Sequence, residues 1–229
     1  MKKLLLLLLV VIMSISLTGC RVPQEIEGTY ELSIDLYDDV IAAFDGAEGV
    51  LPEALSIRPH LSEFNLILTY QFFDNATYSV SLDRDALEQS IAQLDEALTA
   101  VMKPRLIAAT AAEFAKYGIP LETEADVEKL LCMSTDDLFV TSMGMPMEEY
   151  IENTLSEGFV TPLTAKYNVS GNYTAAEGTL FLSDSLDAEP PTDRYESYVI
   201  NEDGSITFTI GVNISEEHCS YPYTLTPAK

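Results

Sequence analysis

Three cysteines, two histidines and 37 acidic side chains are the groups through which this 229-residue chain could do chemistry. The first thiol, Cys20, closes Leu17-Thr18-Gly19-Cys20, behind Lys2-Lys3 and an unbroken apolar run from Leu4 to Met13. Positive, then apolar, then small is the order of a secretory signal. The longer stretch from Leu4 to Leu17 is interrupted by serines, and it falls short of the ~20 apolar residues a transmembrane helix needs. Gly19 offers a peptidase small-residue access, and Cys20 presents its thiol at the membrane interface. The other groups are poorly placed for catalysis. Cys132 and Cys219 form no C-x-x-C pair and have no histidine at metal-ligand spacing. A disulfide between them would close a long loop, worth about 4 to 5 kcal/mol if unstrained. Cys132 follows Leu130-Leu131, however, and also reads as a helix-face thiol. His60 follows Pro59 in an irregular stretch, and His218 stands directly beside Cys219, where adjacent strand residues point to opposite faces. Neither histidine has the partners of a triad. The acidic doublets Asp38-Asp39, Asp136-Asp137, Glu148-Glu149 and Glu216-Glu217 are what so acidic a chain contains by chance. The loop Asp184 to Asp193 could offer oxygens to calcium, but lacks the alternating spacing and central glycine of an EF-hand. No catalytic residue, cofactor or metal ligand is therefore expected.

Leu17-Thr18-Gly19-Cys20 resembles the lipobox of bacterial lipoproteins. The resemblance implies cleavage between Gly19 and Cys20, with Cys20 as the new amino terminus carrying a diacylglyceryl thioether whose two acyl chains include palmitate. Two chains suffice for stable anchoring where one is marginal. Residues 1–19 are then a signal peptide, and residues 20–27 a lipidated cysteine and tether reaching at most about 25 Å. The expected location is extracytoplasmic, at a bacterial cell membrane, with the membrane a partner through the lipid alone.

Charge narrows the partners. The chain has 12 Lys and Arg against 37 Asp and Glu, a net charge of −25, and loss of Lys2 and Lys3 makes the mature protein more acidic still. Such a surface repels phosphate backbones and anionic headgroups, so nucleic acid is not an expected partner.

Positioning falls to two kinds of element. Tyr30, Leu32, Ile34 and Leu36 alternate with polar residues, as a half-buried strand requires. Phe64 to Phe73, the turn Asp74-Asn75 and Thr77 to Leu82 predict a hairpin. Leu87, Ile91, Leu94, Leu98 and Val101 then recur with helical spacing, predicting a helix from Asp85 to Met102. Pro104 predicts the start of a second helix, stopping at Gly118. Thr123-Glu124-Ala125-Asp126 predicts a third, and Met147 to Glu157 a fourth that stops at Gly158. Five strands follow, at Ala165–Val169, Thr179–Leu182, Arg194–Ile200, Ser205–Gly211 and Tyr221–Thr226. About eight antiparallel strands close as a barrel or stack as a sandwich.

Gly28-Thr29-Tyr30, the hairpin Asp74 to Asp83 and the ending Tyr221-Pro222-Tyr223-Thr224-Leu225-Thr226 resemble the lipocalin-like domains of bacterial lipoproteins. Tyr30 stands where lipocalins have the tryptophan of Gly-x-Trp. The resemblance implies an α+β fold over residues 28–229: a lipocalin-like antiparallel β-barrel with a helical insertion, residues 83–158, between its third and fourth strands. The expected function is non-enzymatic binding of a small apolar ligand or peptide, in the barrel or between barrel and helices. The alternative is an envelope protein that meets a protein partner through its helices.

Overall fold

The alternating stretches at both ends of the chain pair as strands in the computed structural model, which describes residues 26–46, 51–212 and 221–228. Strands β1 (Gly28–Asp35), β2 (Asn65–Phe72) and β3 (Thr77–Leu82) come first. Strands β4 (Val169–Ala176), β5 (Thr179–Leu182), β6 (Tyr195–Ile200), β7 (Ile206–Val212) and β8 (Tyr223–Pro227) follow the helices. Each is antiparallel to the next. Tyr30 opposite Pro227 and Glu31 opposite Thr226 join β8 back to β1, so the eight strands close a barrel, not a sandwich. Closure removes the unpaired edges that an open sheet would expose.

Turn residues and side-chain alternation set the register together. Glu177 and Gly178 take φ of 53° and 72°, the left-handed pair that a two-residue hairpin requires. Asn75 accepts a hydrogen bond from the Thr77 amide at 3.1 Å and fixes the turn between β2 and β3. Leu32, Leu68 and Leu82 then lie side by side across β1, β2 and β3, all buried, while Thr69 and Ser81 share the opposite face. Burying each such leucine contributes roughly 1.5–3 kcal/mol.

Helix α1 (Tyr37–Asp45) and a short 3-10 turn (Glu53–Leu55) lie between β1 and β2. Between β3 and β4 come α2 (Arg84–Ala115), α3 (Glu124–Leu131), α4 (Thr135–Met143), α5 (Met147–Leu155), a π-helical turn (Ser156–Val160) and α6 (Thr161–Tyr167). Asp83 caps α2 by accepting from the Ala86 amide at 3.0 Å, and Thr123 with Asp126 forms a reciprocal capping box on α3. The α2 stripe is buried at Leu87, Leu94, Leu98 and Val101. Ser90 adds a hydrogen bond to the Asn65 carbonyl on β2 at 3.0 Å, tying helix to barrel.

The helices depart from expectation in four places. Pro104 starts no second helix but sits inside the 32-residue α2. The carbonyl that loses its partner to the proline ring belongs to Ala100, an exposed residue whose oxygen water can satisfy. Gly158 is no stop, because the chain passes through the π-helical turn into α6. Ala165–Val169 is not a strand: α6 runs to Tyr167, and β4 occupies Val169–Ala176, straight through Gly171-Asn172, a pair of residue types that ordinarily signals a turn. The Ser183 carbonyl lies 1.9 Å from where a Cβ on Gly171 would sit, so this glycine permits a close backbone approach within a strand. Finally, α4 has no counterpart among the expected helices.

Candidate functional site

Two concavities flank the wall where β3, the helices and β4 meet. The larger is a groove of about 860 Å³ formed by the first half of α2 with α5, the π-helical turn and α6. Its floor is aliphatic, with Leu87, Ile91, Leu155 and Val160. Its charged lining is Arg84 against Glu88, Asp95 and Glu152, so an anionic ligand meets net repulsion. Helical spacing creates the floor: Leu87 and Ile91 are one turn apart on α2, and Ile91 is left half-buried where α2 rises from the barrel.

The second concavity, of about 500 Å³, opens at the barrel end where β4 begins and β5 finishes. Tyr70, Tyr78, Tyr167 and Tyr223 contribute its aromatic wall, and Glu196 its buried carboxylate. Glu196 is 2 % exposed. Its Oε1 accepts from the Tyr221 hydroxyl at 2.6 Å, and the Tyr223 hydroxyl lies 3.0 Å from Oε1 and 2.9 Å from Oε2. Gly211 on the neighbouring strand makes this possible, because a Cβ there would stand 1.9 Å from the Tyr221 hydroxyl oxygen. Tyr78 donates to the Ser183 carbonyl at 2.8 Å. Burial above all, then the negative charges of Asp184 and Glu196, pushes the Tyr78 hydroxyl up to about 12.

The far side of the barrel is filled. Tyr173, 1 % exposed, packs edge-on to Phe72 at 5.0 Å, and its hydroxyl reaches the carbonyls of Ile26 at 2.7 Å and Phe73 at 3.0 Å.

The structure scatters most of the reactive groups named from sequence. Gly19, Cys20, His218 and Cys219 lie outside the described residues. Cys132 is exposed at the left-handed end of α3, its sulfur 3.7 Å from the Lys129 carbonyl. His60 is exposed beside the 3-10 turn, and the Asp38-Asp39, Asp136-Asp137 and Glu148-Glu149 doublets are exposed on separate helices. In the acidic loop, the carbonyls of Leu186 and Ala188 accept from the Asn172 side chain at 2.9 and 2.8 Å and so turn toward protein. Among the described residues no group of three or more His, Cys, Asp or Glu is arranged to hold a metal ion.

Glu196 is the site residue that sequence reasoning missed. Period-two alternation through β6 puts it on the face of Tyr198, inside the barrel, and that was the available signal. Compared with protein-family models, curated proteins and solved structures, the chain matches none.

Proposed function

We propose that this protein is a lipid-anchored, extracytoplasmic binding protein of a bacterial cell membrane, without catalytic activity, that takes a small apolar ligand or an apolar peptide. The barrel is read as lipocalin-like, with α2 to α6 as an insertion between its third and fourth strands. One observation carries the reading: an aliphatic groove of about 860 Å³, within the size range of ligand sites, lies along α2 beside the barrel. Its acidic rim favours a neutral or cationic head over a carboxylate. The lipobox-like Cys20 supplies the anchor in this reading.

Titration of the lipidated protein with the neutral apolar dye Nile red tests the groove. Saturable fluorescence enhancement is expected. Ala92→Trp, which adds an indole to the groove wall at an exposed position, should lower the affinity by about tenfold. Undiminished binding by the variant would remove the groove from the proposal. Cell fractionation tests the anchor: Cys20→Ala should yield unprocessed or soluble protein, and a normally lipidated membrane form would overturn it.

A second reading draws on exposed apolar side chains of the helical region. Leu130 on α3 with Val140 and Met143 on α4 are 40 %, 42 % and 39 % exposed. An envelope-protein partner would cover them, and site-specific cross-linking from position 140 in intact cells would capture it at one defined mass.

A further inference from the structure

The barrel mouth has a chemistry of its own, different from that of the helical groove. A carboxylate inside a barrel loses its hydration, and that cost is met only by donors or by opposite charge. Glu196 has hydroxyl donors in Tyr221 and Tyr223. Phenols are neutral: they share the negative charge and leave its field in place. The charged lining adds to it, with Asp184, Glu189, Asp193 and Glu196 against Lys166 and Arg194. Lys166 and Arg194 are exposed, where water screens them, whereas Glu196 is enclosed. The remaining wall combines four phenol rings with aliphatic side chains such as Val80, Val169 and Leu182; the ring faces attract cations. At about 500 Å³ the space suits a small molecule and excludes a folded partner.

We propose that the barrel mouth is a binding site for a small organic cation, an ammonium group held between the Glu196 carboxylate and the tyrosine rings of the wall. Each part has a separate task. Glu196 supplies the charge that distinguishes an ammonium from a neutral molecule of the same shape. Tyr221 and Tyr223 hold the carboxylate in place, so that its orientation does not have to be set by the ligand. Tyr70 and Tyr78 face the apolar substituents of the cation. The raised Tyr78 hydroxyl registers the same field, since the charges of Asp184 and Glu196 both act on it.

Calorimetric titration of the full lipidated protein with choline, with its uncharged carbon isostere neohexyl alcohol, and with putrescine tests the proposal. Choline or putrescine should bind saturably, and neohexyl alcohol about tenfold more weakly than choline or not at all. Glu196→Gln keeps an oxygen that can accept from the tyrosines and removes the charge. It should cost cation affinity about tenfold or more while circular dichroism stays that of the wild type. Where that variant fails to fold, Tyr70→Leu gives the second arm, with an expected loss of choline affinity of about fivefold. Equal binding of choline and its isostere, unchanged affinity in Glu196→Gln, or no binding of either cation at millimolar concentration would each overturn the proposal. Nile red binding in the helical groove reports on a different cavity, so failure here is distinguishable from failure there.

Discussion

Arg105 on α2 grips Asp45 at the end of α1, with a guanidinium nitrogen 2.5 Å from the carboxylate oxygen and the Asp45 side chain only 4 % exposed. The same guanidinium donates to the carbonyls of Leu55 at 2.7 Å and Phe44 at 3.0 Å. One side chain thus satisfies three acceptors and fastens the chain between β1 and β2 onto the long helix. Arg105→Ala would leave a buried carboxylate and two carbonyls short of their donor. Breaking a buried pair from one side costs about 3–5 kcal/mol. Urea denaturation should show a midpoint lowered accordingly, with an unchanged slope; a loss below about 1 kcal/mol would mean that the pair acts as an exposed one.

The same pair makes stability depend on pH in a defined direction. Burial acts to raise the Asp45 carboxyl pKa, but hydrogen bonds from Ser56, the Ile57 amide and Arg105, together with the guanidinium charge, outweigh it and hold the pKa below the ordinary aspartate value. A lowered folded-state pKa contributes stability above the unfolded value, about 3.9, and loses it as pH falls through the folded one. The stability difference between wild type and Asp45→Asn should therefore be full at neutral pH and shrink below about pH 4. Denaturation curves at stepped pH measure it, and a difference that grows on acidification would reverse the assignment.

Gly171 offers a sharp steric prediction. Any side chain on it would collide with the Ser183 carbonyl, which also accepts the Tyr78 hydroxyl hydrogen bond. Gly171→Ala must push backbone aside at the β4–β5 hairpin, at a cost of about 3 kcal/mol or more. Gly158 is the control, since a Cβ there meets nothing within 4 Å. Gly158→Ala should be neutral or stabilising by up to about 1 kcal/mol. Thermal unfolding of the two variants checks the contrast, and equal effects would refute it.

These elements also show what the sequence makes legible and what it hides. Strands β1 and β3 and the buried stripe of α2 follow from patterns of period two and 3.6, because burial on one face selects residues locally, and β2 follows from a run apolar on both faces that ends at a turn signal. Pro104 and Gly171 mislead for one shared reason: each is a local breaker whose cost is removed by something distant or external. Water can serve the Ala100 carbonyl behind Pro104, and a carbonyl twelve residues away needs the space at Gly171. Glu196 hides differently. A carboxylate reads as solvent-facing even where strand alternation points it inward, and its tyrosine donors stand 25 and 27 residues later, Tyr221 just before the last strand and Tyr223 at its start.

Alkaline pH should unfold the barrel through its buried tyrosines. Tyr173 and Tyr78 are both pushed up to about 12 from the usual 10.0, in each case by burial before all else. A pKa raised on folding means that the native state holds the proton more tightly than the unfolded chain. The resulting stability is complete below pH 10 and is lost as pH climbs toward the folded-state value. Tyr173 is the more exposing test, because its hydroxyl serves the Ile26 and Phe73 carbonyls at the filled side of the barrel. Tyr173→Phe should cost about 1–3 kcal/mol at neutral pH by stranding those acceptors. Above pH 10 the variant should lose further stability less steeply than wild type, since it no longer has that phenol to ionise. Parallel wild-type and variant stabilities across the alkaline range would show that Tyr173 ionises without regard to the fold.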